Sequence, residues 1–339
     1  MKVLVTGGAG YIGSILLREL LKEGYHVVCL DRLFFGIESI RDLLENSRFE
    51  LIKDDVRWFS PTILEDVDVV VDLAALSNDP AGELDPAKTY DINYLGRIRV
   101  ARLSKEYGVR RYIFASTCSV YGFQEKIVDE NSDLNPLTTY AKSAVLAERD
   151  LLPLACDDFV VTILRFATAY GFSYRMRFDL VVNAMVLSLY KKGVIRVSGD
   201  GTQKRPLVHV KDIARAIIQV INADESKVNG EIFNVGSNDQ NFRIIDLAHK
   251  IGDAIGVDYE IQFYGDPDRR SYMVNFTKIK KTLGYSTQYT VEMAARNIYR
   301  ALQEGILKDT IKTITVKWYK YLLETYQFIK DIELNNRIL

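Results

Sequence analysis

A short apolar run, Val3-Leu4-Val5, ends in a cluster with glycine at 7, 10 and 13. An apolar-periodic segment follows at Ile12, Ile15, Leu16, Leu17, Leu20 and Leu21, closed by Gly24. That order predicts strand, tight turn and helix. Gly7, Gly10 and Gly13 let the backbone turn sharply and let a ligand and the sheet come close. The helix start offers unpaired N–H groups and a positive dipole end, which suit a pyrophosphate. A second apolar run, from His26 to Leu30, ends in Asp31. An acid at that strand tip is placed to accept the hydroxyls of an adenosine ribose. A glycine triplet alone marks many ordinary loops. Here it follows a strand, opens a helix and precedes a strand-tip acid, so the pattern points to a dinucleotide. Arg32 suits a 2′-phosphate, whereas Asp31 repels one; NAD is therefore expected over NADP.

The first half alternates. Strand patterns lie at 2–6, 26–30, 49–52, 68–73, 111–116 and 159–164, with helical patterns at 12–23, 37–45, 88–107 and 139–152. This predicts an α/β fold: a Rossmann-type doubly wound parallel sheet with helices on both faces. The second half is less regular, with helical patterns at 179–192, 211–223, 244–256 and 291–304 and short strands at 194–197, 207–210 and 231–235. The expected division is an NAD-binding domain of 1–170 plus about 207–236. A smaller C-terminal α/β domain, 171–206 plus 237–339, would bind the substrate. In the tail, Trp318, Tyr319, Tyr321, Leu322, Leu323 and Tyr326 recur at helical spacing, which reads as a packing face rather than a ligand box.

Bulk properties narrow the partners. The chain has 339 residues and a net charge of −1, so no basic excess points to nucleic acid. Met1-Lys2-Val3 leads directly into a strand, and no apolar run approaches 20 residues. The expectation is a cytoplasmic protein without a membrane span. Cys29, Cys118 and Cys156, with His26, His209 and His249, are scattered and show no metal-ligand or disulfide spacing.

The chemistry-bearing residues cluster at Phe114-Ala115-Ser116-Thr117-Cys118-Ser119-Val120-Tyr121-Gly122 and at Thr139-Tyr140-Ala141-Lys142-Ser143-Ala144. A hydroxyl at a strand's carboxyl end and a tyrosine opening a helix can converge on a substrate hydroxyl. Together with the glycine pattern, Asp31, Asp54-Asp55, Ala74-Ala75, Asn93 and the run from Arg205 to Asp212, they resemble the extended short-chain dehydrogenase/reductase family over nearly the whole chain. The resemblance is to nucleotide-sugar epimerases and dehydratases, with nucleotide-heptose dehydrogenases in the same branch. It implies NAD in the first half and a nucleotide-diphosphate sugar in the second. Tyr140 resembles the general base, and Thr117 the hydroxyl that shares its proton. Cofactor contacts are implied for Gly7, Gly10, Tyr11, Ile12, Gly13, Asp31, Arg32, Asp55, Val56, Leu73, Ala74, Ala75, Asn93, Ser116 and Tyr140. Substrate contacts are implied for Ser77, Thr117, Thr168, Arg175, Arg177, Asn183, Arg205, Asp268 and Arg270, arginine being suited to phosphate by its planar fork. Relatives pair the helices matching 88–107 and 139–152 into a four-helix bundle, so a homodimer is expected.

Two departures shape the reading. The family lysine four residues after the tyrosine is Ala144 here. That lysine lowers the tyrosine pKa and binds the nicotinamide ribose. Lys142 is no substitute, being about 200° round the helix from Tyr140. Three readings of Ala144 remain: a lysine replaced deliberately to trap a complex, a natural enzyme that recruits another cation, or a relative that binds without catalysis. The first is favoured, with a chain that binds NAD and turns over poorly. The second departure follows Thr117. Dehydratase and decarboxylase relatives carry carboxylates there, and this chain carries Cys118-Ser119. A thiol and a hydroxyl are poor acid/base substitutes at neutral pH, Cys118 keeping a minor option in C5 chemistry. The expected reaction is C4 epimerisation of an NDP-hexose by transient oxidation. A 4-dehydrogenase that releases NADH and a non-catalytic NAD and nucleotide-sugar binder are the alternatives.

Overall fold

Val3 and Val5 point to one face of the first strand and Leu4 to the other, and all three are fully buried. A strand apolar on both sides needs cover on both sides. The computed structural model describes residues 1–266, 270–334 and 337. Its first half runs β1 (Lys2–Thr6), α1 (Gly13–Lys22), β2 (His26–Leu30), β3 (Phe49–Ile52), β4 (Val69–Asp72), α2 (Asp79–Gly82), α3 (Pro86–Tyr90), α4 (Arg97–Glu106), β5 (Arg111–Thr117), β6 (Phe123–Val128), α5 (Thr139–Leu151), β7 (Val160–Phe166) and β8 (Thr168–Tyr170). The second half runs α6 (Val181–Lys192), β9 (Val194–Ser198), β10 (Lys204–His209), α7 (Val210–Asn222), β11 (Glu231–Val235), β12 (Asn241–Arg243), α8 (Ile244–Ile255), β13 (Glu260–Tyr264), β14 (Ser271–Val274), α9 (Thr277–Leu283), α10 (Val291–Gln303) and α11 (Thr315–Ile332).

The main sheet is parallel, in the order β3-β2-β1-β4-β5-β7-β11. Leu16, Leu20, Ile213 and Ile217 of α1 and α7 cover the Val3–Val5 face, and Val100, Ala101, Ala147 and Leu151 of α4 and α5 cover the Leu4 face. Strand order reverses between β1 and β4, and a crevice opens beyond the carboxyl ends at such a point. Around it lie a three-stranded sheet, β12-β10-β8, and two parallel pairs, β13-β9 and β14-β6.

Four expectations change. The helix expected at 37–45 is only a 3₁₀ turn, Arg41–Leu43. Ile40, in the middle of that stretch, takes φ −133° and ψ 6°, outside the helical region, so no continuous helix forms. The helix expected over 88–107 is split by a π-helical turn, Asp91–Gly96. Such wide turns re-aim a side chain, and here Asn93 is buried and binds Leu76 through both its N–H and its carbonyl. Strands β6, β13 and β14 form where the sequence pattern marked no strand. Phe123, Ile127, Phe263 and Tyr264 are exposed, which erased the alternation that marks a strand. Finally, α11 packs mainly through its first turns: Trp318 donates to the Phe34 carbonyl at 2.7 Å, while Tyr321, Leu323, Tyr326 and Phe328 are exposed.

Candidate functional site

The Thr6 hydroxyl donates to the Asp72 carboxylate and accepts from the backbone N–H groups of Leu73 and Ala74 at 3.1 Å each. It ties the tip of β4 beside the glycine turn. A Cβ on Gly7, at φ +68°, would stand 2.9 Å from the Ala74 nitrogen, and one on Gly13 would stand 2.5 Å from the Gly7 carbonyl oxygen. Glycine keeps this cradle open. No side chain caps α1; Ser14, Ile15 and Leu16 donate to the carbonyls of Gly10 and Ile12, and the N–H groups of Tyr11, Ile12 and Gly13 just ahead of them, unbonded among the described residues, face a ligand. Asp31 accepts from Ala9 and Leu33 at 3.0 and 2.7 Å, and burial still pushes its carboxyl pKa up. Burial also works against the charge of Asp55, but Arg57 outweighs it and lowers that pKa.

A first cleft surrounds this turn. Its wall carries Gly7, Gly10, Tyr11, Ile12, Gly13, Asp31, Arg32, Asp55, Val56, Leu73, Ala74, Ala75, Ser116 and Tyr140. Asn93 lies behind the wall and holds Leu76, which does line it. Arg175, expected on the substrate side, stands in this first cleft. Its guanidinium lies 3.5 Å from the Phe35 ring centroid, and Nη2 donates to the Thr315 hydroxyl. Its Nε is buried without a hydrogen-bond partner among the described residues. Burial, with Arg177 nearby, pushes its pKa down to about 9. A buried cation with an orphaned N–H beside an open glycine cradle fits the diphosphate of a dinucleotide. Tyr319 of α11 also lines the cleft, so the tail contributes a ligand-side residue where a packing face was expected.

A second cleft, about 730 Å³, has room for a drug-sized ligand. It carries Ser77, Thr117, Thr168, Arg177, Arg205 and Arg270. Arg177 grips Asp179 with two bonds of 3.0 Å and donates to the Ser77 hydroxyl at 3.2 Å. Arg270 is paired with Asp79, and Arg205 donates to the carbonyls of Lys204 and Arg270. The two clefts meet where Tyr140, Ser116, Ile12 and Ser77 belong to both walls. Thr138 caps α5, accepting from Ala141 at 3.2 Å, and so fixes Tyr140 in the first turn. Burial raises the Tyr140 pKa, and Asp79 adds to this; Arg97, Thr117 and Arg177 pull it down.

Several expected contacts are relocated. Cys118 lines neither cleft: it is buried, its thiol donates to the Arg165 carbonyl at 3.3 Å, and burial raises its pKa. The turn after Thr117 points it into the core, which removes it from C5 chemistry. Asn183 lines neither cleft; it donates to the Tyr11 hydroxyl at 3.1 Å and accepts from Gly171 at 3.0 Å, a bracing role. Ala144 is buried in the core, and Lys142 is exposed on the outer side of α5. Asp268 lies outside the described residues. His209 stacks on Tyr289 at 4.5 Å and caps α7. Among the described residues no cluster of His, Cys, Asp and Glu could hold a metal, and no helix is long and apolar enough to cross a membrane. Thr6 and Arg97 were missed; the one visible signal was the polar Thr6 at the end of an apolar strand, Arg97 falling inside the stretch expected as one helix.

The family model of the NAD dependent epimerase/dehydratase family matches residues 3–236. A Bacillus subtilis (strain 168) protein described as an uncharacterized UDP-glucose epimerase, YtcB, is 30% identical over 301 residues, 84% of this chain and 92% of its own. A UDP-glucose 4-epimerase of Lactobacillus helveticus is 30% identical over 312 residues, 85% of this chain and 93% of its own. A crystal structure of UDP-glucuronic acid 4-epimerase from Bacillus cereus, in complex with UDP-glucuronic acid and NAD, superposes with a TM-score of 0.81. It is 26% identical and covers 90% of this chain and 99% of its own. With a parallel sheet that reverses at a glycine cradle and a tyrosine at the junction of two clefts, the chain belongs to the NAD dependent epimerase/dehydratase family.

Proposed function

We propose that the chain is an NAD-dependent epimerase that inverts C4 of a nucleotide-diphosphate hexose by transient oxidation. One observation carries the reading: the cofactor cleft and the roomier cleft share Tyr140 and Ser116. NAD, when bound, takes a hydride and returns it. Everything else falls to the protein. Tyr140 takes the proton of the sugar hydroxyl and gives it back, with Thr117 sharing the hydrogen bond. The glycine cradle and Arg175 hold the dinucleotide's diphosphate, Asp31 its adenosine ribose, and Asp55 and Val56 the adenine end. In the second cleft, Arg205 and Arg270 hold the sugar's diphosphate, Arg270 exchanging Asp79 for phosphate, while Ser77 and Thr168 face the sugar. Residues 171–206 and 237–339 form the lobe that supplies Arg205 and Arg270, while Ser77 and Thr168 come from the cofactor-binding domain.

Elimination of a C6 hydroxyl needs a carboxylate acting as acid and base near C5. The thiol of Cys118 is turned into the core, and the cleft's Asp179 is held in an ion pair by Arg177. These features favour epimerisation. The names of the relatives make UDP-sugars the first substrates to try. We place the enzyme in the cytoplasm as a homodimer, with the outer faces of α4 and α5 as the contact; Leu95, just before α4, is 55% exposed and apolar.

The test is incubation with NAD and UDP-glucose or UDP-glucuronic acid, followed by chromatography of the sugars and absorbance of NADH. The C4 epimer without net NADH supports the reading. Accumulating NADH indicates a dehydrogenase. Binding without any product, also after Ala144→Lys, indicates a non-catalytic relative.

A further inference from the structure

Ala144 leaves a specific gap. It lies four residues after Tyr140 on α5, on the same face and buried, where its methyl group offers no charge. We propose that Arg97, reaching in from α4, supplies the cation that steadies the ionised Tyr140 and the nicotinamide ribose; the proposal rests on the epimerase reading above. Arg97 is 4% exposed and lines the cofactor cleft with Ser116 and Tyr140. The π-helical turn ends at Gly96, so it sets the direction in which Arg97 leaves its helix. The guanidinium lies 3.9 Å from the Phe114 ring centroid. Nε donates to the Asp72 carboxylate at 3.1 Å, and Nη2 donates to the carbonyls of Asp72 and Ala115, the latter at 3.0 Å. Those bonds use one edge of the fork. Nη1 makes no hydrogen bond among the described residues. Asp72 is in turn shared with Thr6 and Tyr112, which donate to it.

The charged groups acting on Tyr140 are Asp79, which opposes its ionisation, and Arg97 and Arg177, which favour it; Arg97 is the stronger of the two. Arg177 is already committed to Asp179 on both forks. An arginine suits a buried site because its guanidinium keeps its proton where a lysine can lose it. Arg97 thus acts on Tyr140 and on the nicotinamide ribose, taking over from a different helix what the residue four after the tyrosine does elsewhere in the family.

The test compares the unaltered chain with Arg97→Ala, Arg97→Lys and the double variant Arg97→Ala/Ala144→Lys, using NAD and UDP-glucose. Arg97→Ala is expected to move the acid limb of the kcat–pH profile up by about one unit or more. That corresponds to at least about a tenfold loss of kcat on that limb. Arg97→Lys should keep part of the rate, and the double variant should recover both rate and limb. A purely structural Arg97 would lower kcat equally at every pH, leave the limb in place and show no recovery in the double variant; that result overturns the proposal. Should the unaltered chain not turn over UDP-glucose, the epimerase reading is what has failed for this sugar. The proposal is then read from the ultraviolet tyrosinate signal of NAD-bound protein, corrected with Tyr140→Phe. An upward-shifted midpoint in Arg97→Ala supports it, and an unshifted midpoint overturns it.

Discussion

Replacing Arg175 by methionine should strengthen the ligand-free protein and weaken its hold on NAD. Arg175 is 7% exposed, has no carboxylate partner among the described residues, and leaves Nε unbonded. Burial first, and Arg177 second, push its pKa from 12.5 down to about 9. The folded-state pKa is the lower one, so folding disfavours the charged form. That cost is full at any pH below about 9 and fades only as pH rises toward the unfolded-state value. A depression of three to four units corresponds to roughly 4–5 kcal/mol. The Phe35 ring under the guanidinium returns about 1–2 kcal/mol, and the bond to Thr315 returns a little more. Methionine fills similar space without charge, so a net gain of about 2 kcal/mol is expected, seen as a Tm higher by several degrees. With NAD the sign reverses: losing a charge-assisted bond to the diphosphate costs about 1.5–3 kcal/mol, a Kd roughly ten- to a hundredfold weaker. Denaturant unfolding without ligand and calorimetric titration with NAD measure the two halves. A destabilised ligand-free variant with unchanged NAD affinity would refute the reasoning.

Three further outcomes are expected. Gly13→Ala puts a Cβ 2.5 Å from the Gly7 carbonyl and 2.6 Å from the Gly8 Cα, so NAD should no longer raise the Tm; retained protection would show that the cradle is not the binding element. Glu148→Gln breaks a buried pair with Arg165, whose guanidinium bonds both carboxylate oxygens; stability should fall by about 3–5 kcal/mol in denaturant titrations. His209 is buried, and its pKa is pushed from 6.5 down to about 3. The unfolded chain takes up its proton first, so stability should decline as pH falls from about 6.5 toward 3, by at most roughly 4–5 kcal/mol, and His209→Gln should flatten that decline.

The parallel sheet was readable because β1, β2, β4, β5 and β7 are apolar runs bounded by turns, and glycines mark where the order reverses. The wall of the first cleft was readable because its residues come from strand ends and one turn, the glycines and Asp31 marked by their spacing and the others by the family resemblance. What spacing could not reveal was direction. Arg175 and Arg177 are two residues apart, yet Arg175 stands in the cofactor cleft alone while Arg177 borders both clefts. Cys118 follows Thr117 directly, yet a 3₁₀ turn sends it into the core. Arg97 becomes significant only once a π-helical turn rotates it inward, and a single extra residue per turn leaves no mark in an apolar period. Tyr319 reaches the cleft from the far end of the chain, a long-range contact that local pattern cannot encode.

The central claim is that one hydride leaves C4 of the sugar and returns to the same carbon while Tyr140 handles the proton. The direct measurement is NMR of the sugar after incubation with UDP-glucose carrying deuterium at C4, in ordinary water. The account predicts a C4 epimer that keeps its deuterium, with none lost to solvent and no NADH left over. An epimer that has exchanged its label with water, or NADH rising in step with a ketone product, would contradict it.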